Sequence, residues 1–233
     1  MLKKWENLPH EMQNAEVRKY YEILKTKKTG LLMKRLFDIG VSLMMLIILS
    51  PAFLVLALAI KVDSKGPVFY RQVRVTQYGR EFKIHKFRSM VSDADKGIQL
   101  TVGQDSRITK VGKLIRDKRL DEISQLIDVL KGDMTFVGTR PEVPKYVDQY
   151  TPEMMATLLL PAGVTSLTSI YYAGEAAILE ASDDPEKAYI EDVLPGKMKW
   201  NLRGIENFSF WNDIKIMFMT FFAMLGKEYT AEE

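Results

Sequence analysis

Residues 39–60 read IGVSLMMLIILSPAFLVLALAI, and this run contains no charged side chain. At a rise of about 1.5 Å per residue, a helix of this length measures roughly 33 Å, which is enough to cross a hydrocarbon core of about 30 Å. The run is also too long for the apolar region of a cleaved signal peptide. The sequence therefore predicts a membrane segment.

Both flanks of this run are basic. Residues 1–35 carry nine Lys or Arg against four Glu, and residues 61–88 carry eight against one Asp and one Glu. Because positive charge favours the cytoplasmic side, both ends are drawn to the same side. Pro51 removes a helix hydrogen bond and biases Ser50 away from helical geometry, which allows a bend. From these residues alone a re-entrant hairpin and a kinked single span both stay open.

Composition excludes several classes of function. The chain has no cysteine and only two histidines, which excludes thiol chemistry, cysteine-ligated zinc and a His-rich metal site. A serine–histidine relay would depend on His85. The net charge of +3 requires no nucleic-acid partner. Neither a glycine-rich dinucleotide fingerprint nor a Gly-Lys-Ser/Thr phosphate loop occurs, so we expect carboxylates and basic side chains to carry the chemistry.

The rest of the chain predicts an α/β fold that is mostly helical with short strands. Strand-like runs occur at 68–70 and 82–87, and a turn is expected at Gly103. The clearest helix covers 120–130, where apolar residues recur at three- and four-residue steps, and it stops at Gly132.

Two amphipathic stretches each allow two interpretations. Residues 11–24 predict a helix that is either solvated or bound to an anionic lipid surface. Residues 208–225, FSFWNDIKIMFMTFFAML, predict a helix that lies at the bilayer interface or is buried in the core.

Three basic clusters could bind phosphate groups, because the planar Arg fork donates two parallel hydrogen bonds and Lys supplies a point charge. They are Arg71 with Arg74, Lys86-Phe87-Arg88, and Gly138-Thr139-Arg140-Pro141. Cations beside a membrane also neutralise lipid headgroups, which is the alternative for Arg71 and Arg74. Arg140 is the best placed, since it lies between Gly-Thr and Pro in a stiff turn.

Asp121-Glu122 is the most notable acidic pair, at the start of the 120–130 helix. Acidic residues complement the macrodipole of a first helical turn, which is a purely structural explanation. Alternatively, nearby cations keep Asp121 ionised and able to attack phosphorus, while Glu122 faces a different neighbour. Asp128 and Asp133 are further carboxylates that could reach a divalent ion.

Six motifs occur in a fixed order along the chain. They are Lys34-Arg35-x-Phe37-Asp38, the run broken at Ser50-Pro51, Gly66-Pro67-Val68-Phe69 with Gln72 and Arg74, Phe82-Lys83-x-x-Lys86-Phe87-Arg88-Ser89-Met90, Leu120-Asp121-Glu122-x-x-Gln125-Leu126, and Val129-Leu130-Lys131-Gly132-Asp133-Met134 leading to Val137-Gly138-Thr139-Arg140-Pro141. This order closely resembles the monotopic phosphoglycosyl transferases, bacterial sugar transferases that start the assembly of surface glycans. The match is dense over 34–145 and resumes at 208–220.

The resemblance implies transfer of a sugar phosphate from a UDP-sugar to undecaprenyl phosphate at the cytoplasmic face of the bacterial inner membrane. UMP is released and Mg²⁺ is required. By the same resemblance, Asp121 is the nucleophile that forms a phosphosugar aspartyl ester and a candidate metal ligand, and Glu122 is its partner. The run broken at Ser50-Pro51 matches the re-entrant anchor of the family. Four basic residues are expected to bind the donor: Lys86, Arg88, Arg140 and Arg74.

The sequence also departs from the family pattern. Asp128 and Thr139 stand where Asn and Pro are common, and residues 160–169 lack the usual leading Arg and the Trp of a conserved stretch. We therefore assign no binding role to residues 160–175. About 33 residues precede the anchor, so we expect a minimal form without the multi-span region of larger members.

Taken together, the sequence predicts three regions. They are a charged amphipathic N-terminal extension (1–33), a re-entrant membrane helix (34–62) and a cytoplasmic catalytic domain with interfacial helices (63–233). The alternative is a membrane-anchored lipid-binding or scaffold protein without catalysis. A glycosyltransferase that releases UDP would usually need a nucleotide-binding domain larger than the ~170 residues available. The identity of the sugar, the glycan and any homo-oligomer stay open.

Overall fold

The computed structural model describes residues 2–91, 107–172, 175–227 and 229, so the turn expected at Gly103 lies outside the described residues. The described chain is mostly helical with short strands, as predicted. The α-helices are α1 (Ala15–Thr26), α2 (Lys28–Ile48), α3 (Ser50–Asp63), α4 (Lys110–Asp117), α5 (Leu126–Lys131), α6 (Pro144–Val147), α7 (Leu167–Tyr171), α8 (Glu175–Glu180), α9 (Pro185–Ala188), α10 (Leu194–Glu206) and α11 (Phe210–Met224).

Within the described residues, four strands form two small sheets. β1 (Phe69–Val75) pairs with β2 (Glu81–Phe87) in an antiparallel hairpin, and β3 (Met134–Val137) pairs with β4 (Ala162–Thr165) in parallel. The hairpin turn contains Tyr78 and Gly79, both with positive φ. These sheets matter for the site because β2 and the segment that follows β3 each supply one of its cations.

The apolar run is bent where Ser50-Pro51 predicts a bend. The axes of α2 and α3 differ in direction by 62°. Pro51 has no N–H to offer the carbonyl of Ile47, and the Ser50 hydroxyl donates to that carbonyl instead, at 2.8 Å. In the described part of the chain no single helix is long and apolar enough to span a membrane, and only α2 and α3 together meet that length and hydropathy.

Both ends of the bent pair are attached to the same folded domain. Near the start of α2, Lys34 Nζ lies 2.5 Å from Asp213 Oδ2, and Asp38 accepts a hydrogen bond from the Thr135 hydroxyl at 2.7 Å. At the end of α3, Ile60 is buried in an apolar cluster. Exposed apolar side chains surround the bend: Leu43, Met44, Ile47, Ile48, Leu54, Val55 and Leu58.

The N-terminal segment packs onto the domain. The apolar side of α1 is buried against the 3₁₀ helix Met154–Leu159 and α10, and Leu24 is fully buried there. The Tyr20 hydroxyl donates to Glu153 at 2.8 Å. The lipid-bound interpretation of residues 11–24 is therefore wrong, because the apolar face of the helix is covered by protein. Its charged side chains, such as Arg18 and Lys19, remain exposed, so one face of the helix is solvated.

The helix expected at 120–130 is divided in two. Its first half is a 3₁₀ helix, Leu120–Gln125, and its second half is α5. Gly132 ends it in the left-handed conformation, φ 87°, as the sequence predicts. The predicted C-terminal helix is α11, which begins after Ser209, whose side chain caps it. One face of α11 packs on the core while Trp211 and several other apolar side chains remain exposed.

Candidate active site

Asp121 and Glu122 lie in the 3₁₀ helix between α4 and α5. The chain turns into this helix at Arg119, which adopts the left-handed conformation with φ 53°. Ser124 then fixes the helix to β2, because its hydroxyl donates to the carbonyl of His85 at 3.0 Å. The two carboxylates are thereby held close to Lys86, the next residue of β2.

Two cations converge on Glu122. Arg140 donates to Glu122 Oε1 at 2.5 Å, and Lys86 donates to the same oxygen at 3.2 Å. Lys86 Nζ also lies 3.9 Å from Asp121 Oδ2. Four of the six predicted catalytic and donor-binding residues are thus brought together from three separate parts of the chain.

The two adjacent carboxyl groups have opposite electrostatic environments. Burial would raise the pKa of Glu122, but Arg140 and Lys86 outweigh it and lower the pKa to about 2. Burial raises the pKa of Asp121, and Lys86 counteracts this only in part. Glu122 is therefore a permanent anion that holds the two cations. Lys86 and Arg140 form their hydrogen bonds with Glu122 and not with Asp121, so the Asp121 carboxylate remains available for a reaction.

Arg140 depends on a close contact between two glycines. Gly138 N donates to the carbonyl of Thr165 at 2.9 Å, and Gly163 N donates to the carbonyl of Thr139 at 2.8 Å. A Cβ atom added to Gly163 would lie only 2.2 Å from Gly138 N. The stretch 160–169, which departs from the family pattern, therefore contains the strand β4 that supports the segment carrying Arg140.

A family model described as bacterial sugar transferase matches residues 29–227. The chain belongs to this family. It is 39% identical over 199 residues to UDP-glucose:undecaprenyl-phosphate glucose-1-phosphate transferase of Klebsiella pneumoniae, covering 83% of this chain and 40% of that protein. It is 37% identical to UDP-N-acetylgalactosamine-undecaprenyl-phosphate N-acetylgalactosaminephosphotransferase of Aeromonas hydrophila, covering 80% and 42%.

A further relative is similar in length. The uncharacterized sugar transferase EpsL of Bacillus subtilis is 33% identical over 85% of this chain and 90% of its own length. By contrast, the chain spans less than half the length of the Klebsiella and Aeromonas proteins. The family assignment confirms the resemblance seen in the ordered motifs.

The two other predicted donor ligands of this sugar transferase bond to other parts of the chain. Arg88 is buried and its guanidinium bonds to backbone carbonyls at the end of α3, including Ser64 O at 2.8 Å. Arg74 bonds to the side chain of Gln72 and donates to Pro141 O at 3.0 Å. Arg88 thus attaches α3 to β2, and Arg74 supports the Arg140 segment. Their roles as donor ligands stay predictions.

The remaining acidic candidates have structural partners. Asp128 is fully buried and accepts from the backbone N of His85 at 2.8 Å, and its other oxygen lies 2.6 Å from His85 Nδ1. The Ser124 hydroxyl bonds to the backbone carbonyl of His85 and not to its ring, so this serine is not placed for a serine–histidine relay. Asp133 forms an ion pair with Arg80 at 2.7 Å. Both carboxylates therefore stabilise the fold around the site.

The donor set fits a magnesium ion that is completed by substrate. Among the described residues no three His, Asp or Glu side chains cluster closely enough to hold a metal. Mg²⁺ usually binds one or two carboxylates together with substrate phosphates and water. Asp121 fits that requirement, since both cations bond to Glu122 and neither lies within hydrogen-bond distance of Asp121.

Sequence reasoning missed one group of charged residues next to the site. Glu142 follows Arg140 by two positions, and its side chain bonds to Tyr189 and Lys197, which lie 47 and 55 residues further along. Nothing in the spacing of these residues signals the contact, because the loops between them set it.

Proposed function

We propose that the protein transfers a sugar phosphate from a UDP-sugar to undecaprenyl phosphate at the cytoplasmic face of the bacterial inner membrane, as the first membrane step of surface glycan assembly. The observation that carries this proposal is the Asp121-Glu122 pair facing Lys86 and Arg140. The names of the Klebsiella and Aeromonas relatives support the donor and acceptor classes.

The proposed reaction has two steps. An oxygen of the Asp121 carboxylate attacks the β-phosphorus of the donor, the bond from that phosphorus to the bridging oxygen breaks, and UMP leaves with the electron pair. A phosphate oxygen of undecaprenyl phosphate then attacks the same phosphorus and displaces Asp121. Both nucleophiles are already anions, so neither step needs a general base to remove a proton.

Lys86 and Arg140 supply the electrostatic part of this mechanism. A carboxylate that approaches a diphosphate is repelled, and the charge that moves to the leaving UMP must be stabilised. Lys86 lies within reach of both carboxylates, and Arg140 presents a planar fork whose side chain is 42% exposed. Glu122 keeps both cations oriented before the donor binds. Bound Mg²⁺, held by Asp121 and the donor phosphates, would neutralise further charge on the diphosphate.

We propose that α2 and α3 form a re-entrant hairpin in the cytoplasmic leaflet. Both arms are attached to one domain, through Lys34 and Asp38 at one end and Ile60 at the other. A single domain cannot lie on both sides of a bilayer, and the exposed apolar side chains surround the bend between the arms. The exposed apolar residues of α11 would lie in the same interface.

Cysteine labelling tests this topology, because the chain contains no cysteine. Lys19 and Lys83 are exposed and lie on opposite sides of the hairpin in sequence, so Lys19→Cys and Lys83→Cys should both be protected from an impermeant reagent in intact cells. Labelling of either site from outside would contradict the hairpin and support a helix that spans the membrane. Pro51→Leu should move the protein towards that spanning topology with a loss of activity.

The adduct experiment tests the function. With its UDP-sugar and Mg²⁺ but no acceptor, the wild type should release about one UMP per active site and gain the mass of one sugar phosphate. Asp121→Asn should abolish the adduct and turnover, whereas Glu122→Gln retains the nucleophile and should keep a trace of adduct. If UMP is released only when undecaprenyl phosphate is present, the covalent mechanism is wrong and the sugar phosphate passes directly from the donor to the acceptor. Release of UDP would indicate a glycosyltransferase, and no nucleotide release with a panel of UDP-sugars would favour a scaffold.

A further inference from the structure

A buried ion pair lies beside the Arg140 segment and outside the carboxyl pair. Glu142 and Lys197 are 7% and 6% exposed, and Lys197 Nζ lies 3.0 Å from Glu142 Oε1. The Tyr189 hydroxyl donates to the same oxygen at 2.6 Å and lies 2.9 Å from Lys197 Nζ, from which it accepts. These three side chains join the segment after β3 to α10 and to the π-helical turn that precedes α10.

The same segment is held from its other side by β1. Arg74 donates to the carbonyl of Pro141 at 3.0 Å, and Val75 N donates to the carbonyl of Glu142 at 2.9 Å. Thus β1 binds the backbone of residues 141–142 while α10 binds the side chain of Glu142. Arg140 lies at the end of this doubly held segment, and its guanidinium reaches Glu122.

Stability alone is a weak explanation for this ion pair. Burying two charges costs desolvation energy, and well-packed apolar residues often stabilise a fold equally well. Burial would raise the pKa of Glu142, but Lys197 and the Tyr189 hydroxyl outweigh it and keep the pKa below its ordinary value, so the carboxyl group is ionised. What a satisfied, charged network adds is one defined position for the chain that carries it.

We propose that Glu142 and Lys197 are positioning residues of the donor site, which fix the segment carrying Arg140 so that its guanidinium meets both Glu122 and the donor phosphates. This inference rests on the proposed function, because the donor phosphates are the ligand that Arg140 is positioned to meet. It requires no direct contact between Lys197 and the substrate.

A double variant, Glu142→Gln with Lys197→Met, tests the proposal. Lys197→Met alone would leave Glu142 charged in the interior without its ammonium partner, which can unfold a protein, whereas the double variant removes both buried charges at similar volume. Glu175, which lies 3.5 Å from Lys197 Nζ, loses this contact but is 38% exposed. We expect its unfolding midpoint to stay close to that of the wild type. Its kcat/KM for the UDP-sugar and its affinity for UMP should each fall on the order of tenfold, because the guanidinium is misplaced. The kcat/KM for undecaprenyl phosphate reports only on the second step of the proposed reaction and should not change.

Combination with Arg140→Ala separates positioning from a general loss of structure. Because the pair acts through Arg140, its removal should cause no further loss in an Arg140→Ala background. The matched control is Asn201→Ala. Asn201 lies one turn further along α10 than Lys197, is 7% exposed and accepts a hydrogen bond from the Thr168 hydroxyl at 2.8 Å. This control should lose stability without a change in UMP affinity or in kcat/KM for the donor.

Three results would overturn the proposal. They are wild-type donor kinetics and UMP affinity in the double variant, equal losses in the Asn201 variant, or losses that add fully to those of Arg140→Ala. If the wild type binds UMP but releases none from any UDP-sugar, the proposed function fails. The UMP affinities of the wild type and of the double variant still decide whether Glu142 and Lys197 are positioning residues. If the wild type does not bind UMP, both proposals fail.

Discussion

Replacement of Glu122 by Gln removes one charge from the centre of the site and retains the size of the side chain. Burial would raise the pKa of Glu122, yet Arg140 and Lys86 lower it from 4.5 to about 2. One pKa unit corresponds to about 1.4 kcal/mol, so the folded protein favours the ionised side chain by about 3 kcal/mol. Since the side chain is 18% exposed, solvent screens this interaction only weakly. We expect Glu122→Gln to lower the free energy of unfolding at pH 7 by up to about 3 kcal/mol.

Denaturant unfolding in detergent micelles, followed by tryptophan fluorescence, measures this change. The lowered pKa means that the stabilisation is complete above pH 4.5 and is lost as the pH falls towards 2, so the two proteins should converge in acid. The control is Glu186→Gln, which removes a charge from the ion pair between Glu186 and Lys145. The Glu186 side chain is 49% exposed and the Lys145 side chain is 58% exposed. That change should cost less than about 1 kcal/mol. A loss for Glu122→Gln no larger than the control would refute the electrostatic argument.

Three further predictions follow from the same geometry. Because burial raises the pKa of Asp121 and only its ionised form attacks, the rate of adduct formation should fall as the pH is lowered, with a midpoint above the ordinary value of about 3.9; a rate unchanged down to pH 4 would contradict this. Gly163→Ala should destabilise the fold by at least about 2 kcal/mol in the same unfolding assay, because its Cβ meets the backbone of Gly138, whereas Gly40→Ala has open space around it and should be neutral or stabilising. Arg140→Ala should lower donor kcat/KM by about 10²–10³ without affecting flotation with liposomes, and equal losses in both assays would reassign Arg140 to lipid contact or folding.

Much of the site could be predicted, because the chemistry lies in short local motifs. Asp121-Glu122 and the turn at Arg140 are contiguous in sequence, and the family resemblance places them in one site. The bend at Pro51 follows from a missing donor, which is a local property of proline. These features need no knowledge of how distant segments pack.

Features that depend on distant segments could not be predicted. Arg88 stands in a basic cluster, but its guanidinium is bound to carbonyls at the end of α3, which only the packing of β2 against that helix brings close. The burial of α1 was missed because its charged residues dominate the pattern, while its apolar side is covered by residues more than a hundred positions away. The Glu142–Lys197 pair was missed because its residues are 55 positions apart in sequence and only the packing of the chain brings them together.

The attachment of α2 to the domain also determines how a detergent-free form of the protein could be made. Lys34, Asp38 and Ser42 are buried, and Asp38 accepts hydrogen bonds from Thr135 and from the backbone of Phe136. Deletion of α2 as a whole would leave these polar groups of β3 without partners in the interior. The first half of α2 must therefore be retained as part of the domain core, and polar substitutions belong at the exposed apolar side chains around the bend, such as Ile47, Ile48 and Leu54. Phe53 must also be kept, because its ring packs on Phe87.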